Sequence, residues 1–224
     1  MIYNRLMLLT LLSGNVTIWT IIGIVIFLAA LVVAITIHEF AHAWVADRLG
    51  DPTPRYNDRI TLDPRAHLDP LGTLTLLLIG FGWGKPVPFD PYNLKEPVRD
   101  TALIALAGPA SNIILAGIIS VIFALLQTVI AMPDIFLLIA LAAVQVNIML
   151  AVFNLLPVYP LDGSKIALAV LPQQFAYEFE QFMQQYGTIL LILLIFPFGG
   201  VSLVGKIILP IIEFGTTLLT QLWF

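Results

Sequence analysis

Cysteine is absent from the sequence. Its absence excludes disulfide bonds, thiolate nucleophiles and cysteine-ligated zinc, and leaves histidine, aspartate and glutamate as the side chains that can bind a metal. Charged residues are also scarce: they make up 11% of the 224 residues, whereas hydrophobic residues make up 59%. This composition excludes an ordinary soluble globular protein. The net charge of -4 argues against a nucleic acid as a partner.

Long uncharged stretches account for the hydrophobic composition. The 22 residues of 16–37 are enough to cross a bilayer core of about 30 Å as a helix. Three further uncharged stretches follow, at 101–133, 135–161 and 181–205. A last apolar piece, 207–224, is interrupted by Pro210 and Glu213, and the pattern leaves open whether it spans the membrane. The predicted fold is therefore an all-α polytopic membrane protein, a helical transmembrane bundle with three spans and one or two more that the pattern leaves open.

Basic residues are concentrated in one connection of this bundle. Seven of the ten lysines and arginines lie between the first and second spans. Loops rich in lysine and arginine stay in the cytoplasm according to the positive-inside rule. We therefore expect the first helix to run from outside to inside, although Arg5 alone would favour an N-terminus on the inside.

The first span ends in a cluster of ionisable residues, His38, Glu39 and His42. Ionisable groups at membrane depth are costly unless they are paired or bind a metal, so the cluster indicates a function. On a helix, the two histidines lie on one face about 6 Å apart, and both can then reach one metal ion. Glu39 lies beside them without being a ligand, as in HExxH metalloproteases. A haem or di-iron site is the alternative use of two inward histidines.

The connection between the first two spans has structure of its own. Residues 59–62 are a short strand-like piece, and the apolar run 71–80 is too short to cross a bilayer, which is typical of a re-entrant or interfacial segment. The glycines and prolines of 81–89 favour an extended strand. We expect a short membrane-associated β-hairpin or re-entrant loop near the histidines, with a free edge that could pair with a substrate strand. The alternative is that it only plugs the bundle.

Polar residues also occur in the next two spans. The second contains Gly-Pro-Ala-Ser-Asn at 108–112, whose small residues let helices approach closely. Asn112 is a candidate for an interhelical hydrogen bond, and contact with a substrate is its other candidate role. The third span ends in Asn154 and a run with two prolines and a glycine, which unwinds the helix and presents Asp162 from a turn.

A catalytic zinc site with two histidines needs one carboxylate as its third protein ligand. Asp134 is excluded because it lies at the opposite end of the bundle. Asp162 ends the third span at the level of the histidines and is the first candidate. Two competitors stay open at this point, Asp100 at the start of the second span and Glu213 beside Pro210.

Three motifs together resemble the site-2 protease family of intramembrane zinc metalloproteases. They are HEFAH at 38–42, GPASN at 108–112 and NLLPVYPLDG at 154–163, and the likeness covers about 16–165. The resemblance implies one catalytic Zn²⁺ and assigns its ligands to His38, His42 and Asp162. It also implies that Glu39 is the general base and that Asn154 contacts the substrate backbone.

The same resemblance extends to residues 81–89, which are similar to the hairpin that these proteases use beside the active site. His67 lies outside the zinc motif and is interpreted as an ordinary interfacial residue. Residues 1–224 are then expected to form a single intramembrane metalloprotease domain, with a catalytic core at about 16–165 and C-terminal helices at about 173–224.

The expected function is the cleavage of transmembrane segments near the cytoplasmic face of a prokaryotic plasma membrane. The implied partners are the lipid bilayer and a transmembrane protein substrate. The PDZ and CBS domains of some relatives are not found in the sequence, so a separate adaptor could select substrates. A metal-ion transporter or channel using the His/His/Asp cluster is the alternative, and Glu39 separates the two because only hydrolysis needs a base. An inactive relative is disfavoured because every expected catalytic residue is present.

Overall fold

The computed structural model describes residues 17–79, 82–196 and 202–223. These residues form the helices α1 (Ile18–Leu49), α2 (Thr53–Tyr56), α3 (Pro70–Ile79), α4 (Pro97–Val129), α5 (Asp134–Asn154), α6 (Asp162–Val170), α7 (Gln173–Ile195) and α8 (Leu203–Thr220), with 3₁₀ turns at Pro64–Ala66, Pro91–Asn93 and Gln221–Trp223. Among the described residues, α1, α4 and α5 are long and apolar enough to cross a membrane. The three predicted spans are thereby confirmed, while the stretches that the sequence left open fall on α7 and α8.

Helix α1 carries the histidines to the end of its apolar span. It begins after Thr17, whose side chain accepts a hydrogen bond from the backbone N–H of Thr20, and ends at Gly50, whose φ of 112° is the left-handed conformation that glycine adopts readily. His38 lies 20 residues beyond Ile18, about 30 Å along the helix axis and thus about the thickness of a bilayer core. The remaining turns of α1 extend past that depth.

The three long helices pack against one another, while α6 packs on α4 and α8 packs on α5. Small side chains lie at these contacts: Ala34, Ala116 and Ala151 are fully buried, and small residues allow membrane helices to approach closely. The indole N–H of Trp223 donates to the carbonyl oxygen of Ser120 at 3.0 Å, so the residues that follow α8 are fixed against α4.

Large apolar side chains are exposed on the outside of the bundle. Examples are Val25 on α1 and Ile114, Ile118 and Leu125 on α4. Soluble monomers rarely expose an apolar surface of this extent, whereas a membrane protein covers it with lipid. The surface therefore agrees with the composition.

Asp51 closes the connection between α1 and α4. Its carboxylate accepts hydrogen bonds from the backbone N–H and hydroxyl of Thr53, at 3.1 and 2.6 Å, from the amide of Asn93 at 2.8 Å and from the backbone N–H of Asp90 at 2.7 Å. Both ends of the connection are thus held together, and the residues between them are brought back over the end of α1.

The predicted β-hairpin is not supported by the described part of the connection. Its first arm is the helix α3, whose start is capped by Asp69 through a 2.7 Å hydrogen bond from the N–H of Gly72. Residues 82–90, which we call the extended segment, form a single antiparallel bridge, between Leu68 and Gly84. A capped helix cannot also supply a strand, so the extended segment has no hairpin partner among the described residues. Residues 60 and 61 form bends, so the strand expected over 59–62 is not formed. Residues 80 and 81 lie outside the described residues.

Candidate metal centre

The two histidines of α1 present the same ring nitrogen to a common point. Nδ1 of His38 donates to the side-chain oxygen of Asn112 at 2.7 Å, and Nδ1 of His42 donates to the backbone carbonyl of Ile104 at 2.6 Å. An amide oxygen and a carbonyl oxygen only accept hydrogen bonds, so each Nδ1 carries the proton and each neutral ring has its lone pair on Nε2.

The carboxylate of Asp162 faces both of these lone pairs. Its Oδ2 lies 3.2 Å from Nε2 of His38 and 3.2 Å from Nε2 of His42. Asp162 begins α6, and the next residue, Gly163, lies against the carbonyl oxygens of Leu155 and Leu156 at the end of α5, where a side chain would collide with them. Glycine at this position therefore lets α6 start close to α5 and brings Asp162 to the histidines.

A divalent cation fits this donor set. The three ligand atoms lie within 4.8 Å of one another, and two lone pairs facing an anionic oxygen repel it unless a cation or a proton lies between them. Tetrahedral zinc with bonds of about 2.0–2.1 Å separates its ligand atoms by about 3.3 Å, which is close to the two distances of 3.2 Å. Two imidazoles and one carboxylate are the protein ligands of many catalytic zinc sites.

The charge on Asp162 also suits a cation. Burial alone would raise the pKa of this carboxyl, but protons held at Nε2 of His42 and His38 lower it further than burial raises it, and the net pKa then lies well below its ordinary value. Nζ of Lys165 lies 4.0 Å from the other carboxylate oxygen, Oδ1. Asp162 is therefore ionised at neutral pH, with one oxygen toward the histidines and one toward a lysine.

Glu39 lies next to this cluster and takes no part in it. Its side chain is half-buried, and its Oε2 lies 3.9 Å from Nη2 of Arg59. The backbone of Gly84 is also close: a Cβ at that position would lie 3.4 Å from Oε1 of Glu39. Glu39 is thus placed between the histidine pair and the extended segment.

Asn112 is fully buried and uses its whole amide group within the bundle. Its oxygen accepts from His38, and its nitrogen donates to the carbonyl of Ala34 at 3.0 Å and to the side-chain oxygen of Asn147 at 2.8 Å. These are the interhelical hydrogen bonds that the sequence suggested. No amide hydrogen remains for a substrate, so the other candidate role, substrate contact, is not favoured.

The remaining candidates lie outside the cluster. Asn154 is half-buried at the end of α5 and donates to the carbonyl of Leu150 at 3.0 Å. The Asp100 carboxylate accepts from the backbone N–H of Glu96 at 3.0 Å at the start of α4, which is a helix-capping contact. Glu213 is exposed on α8. Of the three carboxylates considered as the third ligand, Asp162 is the one that the fold brings to the histidines.

Sequence reasoning missed three polar residues near this site. His67 is fully buried, not interfacial as expected, and Arg59 beside it is also buried. Asn147, the partner of Asn112, is buried in the middle of α5. The sequence contained a signal for Asn147, because an amide side chain within an uncharged span needs a partner. Arg59 and His67 lie in an irregular connection, where the sequence pattern gave no such signal.

Comparison with known proteins agrees with this site. Residues 129–194 match the model of Peptidase family M50. The chain is 37% identical over 180 residues to "Putative zinc metalloprotease YwhC" of Bacillus subtilis, an alignment that covers 76% of this chain and 80% of that protein. The chain belongs to family M50, the site-2 proteases. "Putative zinc metalloprotease Rip2" of Mycobacterium tuberculosis is a further relative of this M50 protease, 34% identical over 148 residues, which cover 62% of this chain and 54% of Rip2.

No solved structure matches the M50 protease. Family membership and the three apolar helices identify it as a bacterial integral membrane protein of the zinc metalloprotease class. The matched residues 129–194 include Asp162 but not the histidines of α1. A protease of this class would act on membrane proteins within a bilayer.

Proposed function

We propose that this protein is an intramembrane endopeptidase that binds one zinc ion and cleaves transmembrane segments of other proteins near the cytoplasmic face. One observation carries the proposal: His38, His42 and Asp162 converge within 4.8 Å at the end of an apolar helix, with Glu39 beside them. His38, His42 and Asp162 would hold the ion. Bound zinc would act as a Lewis acid, polarising a peptide carbonyl and lowering the pKa of water toward 7.

Glu39 is the general base in this proposal. It takes a proton from the attacking water as the water oxygen bonds to the peptide carbon, and it passes that proton to the nitrogen of the leaving amine when the C–N bond breaks. Its carboxylate lies 3.9 Å from the buried guanidinium of Arg59.

The substrate would bind as an extended strand. A transmembrane helix hides its carbonyls in its own hydrogen bonds, so it must unwind near the cut, and helix-weakening residues at that point are expected to favour cleavage. The extended segment offers backbone groups for pairing with such a strand. Asn154 gives one amide hydrogen to Leu150 and keeps the second for a substrate carbonyl, so we assign it to substrate binding.

The cytoplasmic location rests on charge. Seven of the ten basic residues lie in the connection that follows α1, and basic loops remain in the cytoplasm. His38 and His42 lie at that end of α1. In the cell, the enzyme would work in the plasma membrane, and a separate membrane protein could act as its adaptor.

The proposal is tested on protein purified in detergent and reconstituted in liposomes. The probe is a single-span protein whose transmembrane segment carries Asn-Gly and Gly-Pro pairs at several depths, and cleavage is followed by mass spectrometry. Zinc per chain is measured for the wild type and for Glu39→Gln, His38→Ala and Asp162→Ala, with Asp134→Asn as a charge-matched control at the far end of the bundle.

We expect one zinc and cleavage in the wild type and in Asp134→Asn, one zinc without cleavage in Glu39→Gln, and little zinc in the two ligand variants. Cleavage by Glu39→Gln would refute the general-base role. Zinc flux into the liposomes that survives Glu39→Gln and stops in Asp162→Ala, without cleavage by the wild type, would favour a transporter instead.

A further inference from the structure

Arg59 is a buried charge with no role in the mechanism above. Only 3% of the residue is exposed, and arginine is almost never buried to this degree unless its charge is paired. It lies in the irregular connection between α1 and α4, where its backbone N–H donates to the carbonyl of Pro54 at 2.9 Å. Because burying a guanidinium group is costly, the groups that it contacts indicate what its burial achieves.

The partners of Arg59 come from two parts of the candidate site. Nη1 donates to the carbonyl oxygen of Pro86 at 2.7 Å, and Nη2 donates to the carbonyl oxygen of Lys85 at 2.5 Å. The same Nη2 lies 3.9 Å from Oε2 of Glu39. One rigid planar group therefore touches both the extended segment and the proposed general base, a geometry that the single ammonium of lysine cannot reproduce.

His67 supports this arrangement from behind. It is fully buried, and its Nε2 donates to the carbonyl of Thr61 at 2.8 Å, which leaves the lone pair of Nδ1 facing Nη2 of Arg59 at 3.5 Å. Its backbone carbonyl accepts from the N–H of Lys85 at 2.8 Å. His67 thus holds the extended segment by its backbone and faces Arg59 with its ring.

We propose that Arg59 is a positioning residue for proteolysis, which fixes the position of the extended segment relative to the carboxylate of Glu39. A substrate strand that pairs with the segment is thereby set in register with the base. This inference rests on the proposed function, because it assumes that Glu39 acts on a strand bound there. Arg59 itself touches neither the substrate nor the metal ligands.

Three variants test the kinetic consequence in the liposome assay. Arg59→Gln removes both the positive charge and the planar guanidinium group, whereas Arg59→Lys keeps the charge but loses the guanidinium group. Arg55→Gln is the matched control, because Arg55 is exposed and pairs with Asp47 instead. We expect every variant to keep one zinc. The kcat of Arg59→Gln should fall about 100-fold, as for a misplaced catalytic group, with a smaller change in KM. Arg59→Lys should lie between Arg59→Gln and the wild type, and Arg55→Gln should match the wild type.

A second measurement needs no substrate. Because the chain has no cysteine, Pro88→Cys creates a single, exposed attachment point for a nitroxide spin label in the extended segment. We expect the label to become more mobile when Arg59→Gln is added and to be unchanged when Arg55→Gln is added. An increase in mobility without loss of zinc separates the loosening of this segment from general unfolding.

The inference is overturned if Arg59→Gln keeps its kcat within threefold, or if the label mobility does not change. It is also overturned if zinc and activity are lost together in both Arg59 variants, since the role would then be structural. If Arg59→Gln does not fold, the test rests on Arg59→Lys. A kcat of Arg59→Lys equal to that of the wild type refutes the positioning role of Arg59. A wild type that cleaves nothing refutes the proposed function alone, and the spin label still reports whether Arg59 fixes the segment.

Discussion

Nδ1 of His38 donates a 2.7 Å hydrogen bond to the side chain of Asn112 on the neighbouring transmembrane helix. This bond fixes the tautomer of the ring and turns Nε2 toward Asp162. Asn112 is held in turn by Ala34 and Asn147, so a chain of amides through the bundle determines how one candidate ligand is aimed. Partners of this kind, behind the ligands, contribute to metal affinity as well as to fold.

Replacing Asn112 by leucine should weaken zinc binding. The ring of His38 would lose the acceptor that orients it, and losses of this type are about 10–100-fold in affinity. Competition with a chromophoric chelator measures the change in the purified protein. Asn147→Leu should cause a smaller loss, because it removes one partner of Asn112 but leaves the hydrogen bond to His38. Equal affinity in Asn112→Leu and the wild type would contradict the orienting role.

Gly108 allows a second test of the site, which depends on steric contact with the two histidine rings rather than on a hydrogen bond. A Cβ at this position of α4 would lie 2.6 Å from Cε1 of His38 and 2.6 Å from Cε1 of His42, which is too close for carbon atoms. We expect Gly108→Ala to displace the rings and to lose most of the bound zinc, measured by metal analysis.

Gly117 lies on the same helix and is the matched control for Gly108. Nothing lies within 4 Å of a Cβ built there, so Gly117→Ala should keep its zinc and stabilise α4 by up to about 1 kcal/mol through helix propensity. Full zinc occupancy in Gly108→Ala would mean that the rings can move aside without losing the metal.

Gly84 controls the approach of the extended segment to Glu39. A Cβ there would lie 3.0 Å from Cγ2 of Ile35 and 3.2 Å from the carbonyl oxygen of His67, so the segment must shift by a few tenths of an ångström. We expect Gly84→Ala to lower kcat/KM by about tenfold, on the scale of small misplacements in active sites, with zinc unchanged. Gly23→Ala, which meets nothing within 4 Å, should behave as the wild type, and undiminished cleavage by Gly84→Ala would remove the extended segment from the catalytic arrangement.

The helices could be predicted because they depend on residues that are close together along the chain. An uncharged run of 22 residues has few stable structures in a bilayer other than a helix, and the spacing of His38 and His42 places both on one face whatever packs against them. The position of Asp162 needed more than spacing: Asp100 and Glu213 stayed open until the fold placed the first at a helix cap and left the second exposed.

The connection between α1 and α4 was predicted less well because its structure depends on distant partners. Residues 71–80 have the composition of either a helix or a strand, and the cap from Asp69 selects the helix. His67 and Arg59 are buried because Thr61, Lys85 and Pro86 supply acceptors for them. Sequence patterns describe neighbours along the chain, and these partners are brought together only by the fold.

Asp51 predicts how the fold responds to acid. Burial would raise the pKa of this carboxyl, but hydrogen bonds from Thr53, Asn93 and Asp90 lower it below its ordinary value. A depressed pKa in the folded state means that the contribution of Asp51 to stability is complete above the unfolded pKa of about 3.9. That contribution is lost as the pH falls below this value toward the lower pKa of the folded state.

Asp51→Asn should therefore be less stable than the wild type at neutral pH, because hydrogen bonds to a charged acceptor contribute about 1.5–3 kcal/mol each. The difference between the two proteins should shrink as the pH falls from about 5 to about 3. Thermal unfolding in detergent, with a chelator present so that zinc release does not contribute, measures both stabilities. A difference that stays constant over this range would show that the Asp51 carboxylate does not titrate against the fold, and that the two ends of the connection are held by other contacts.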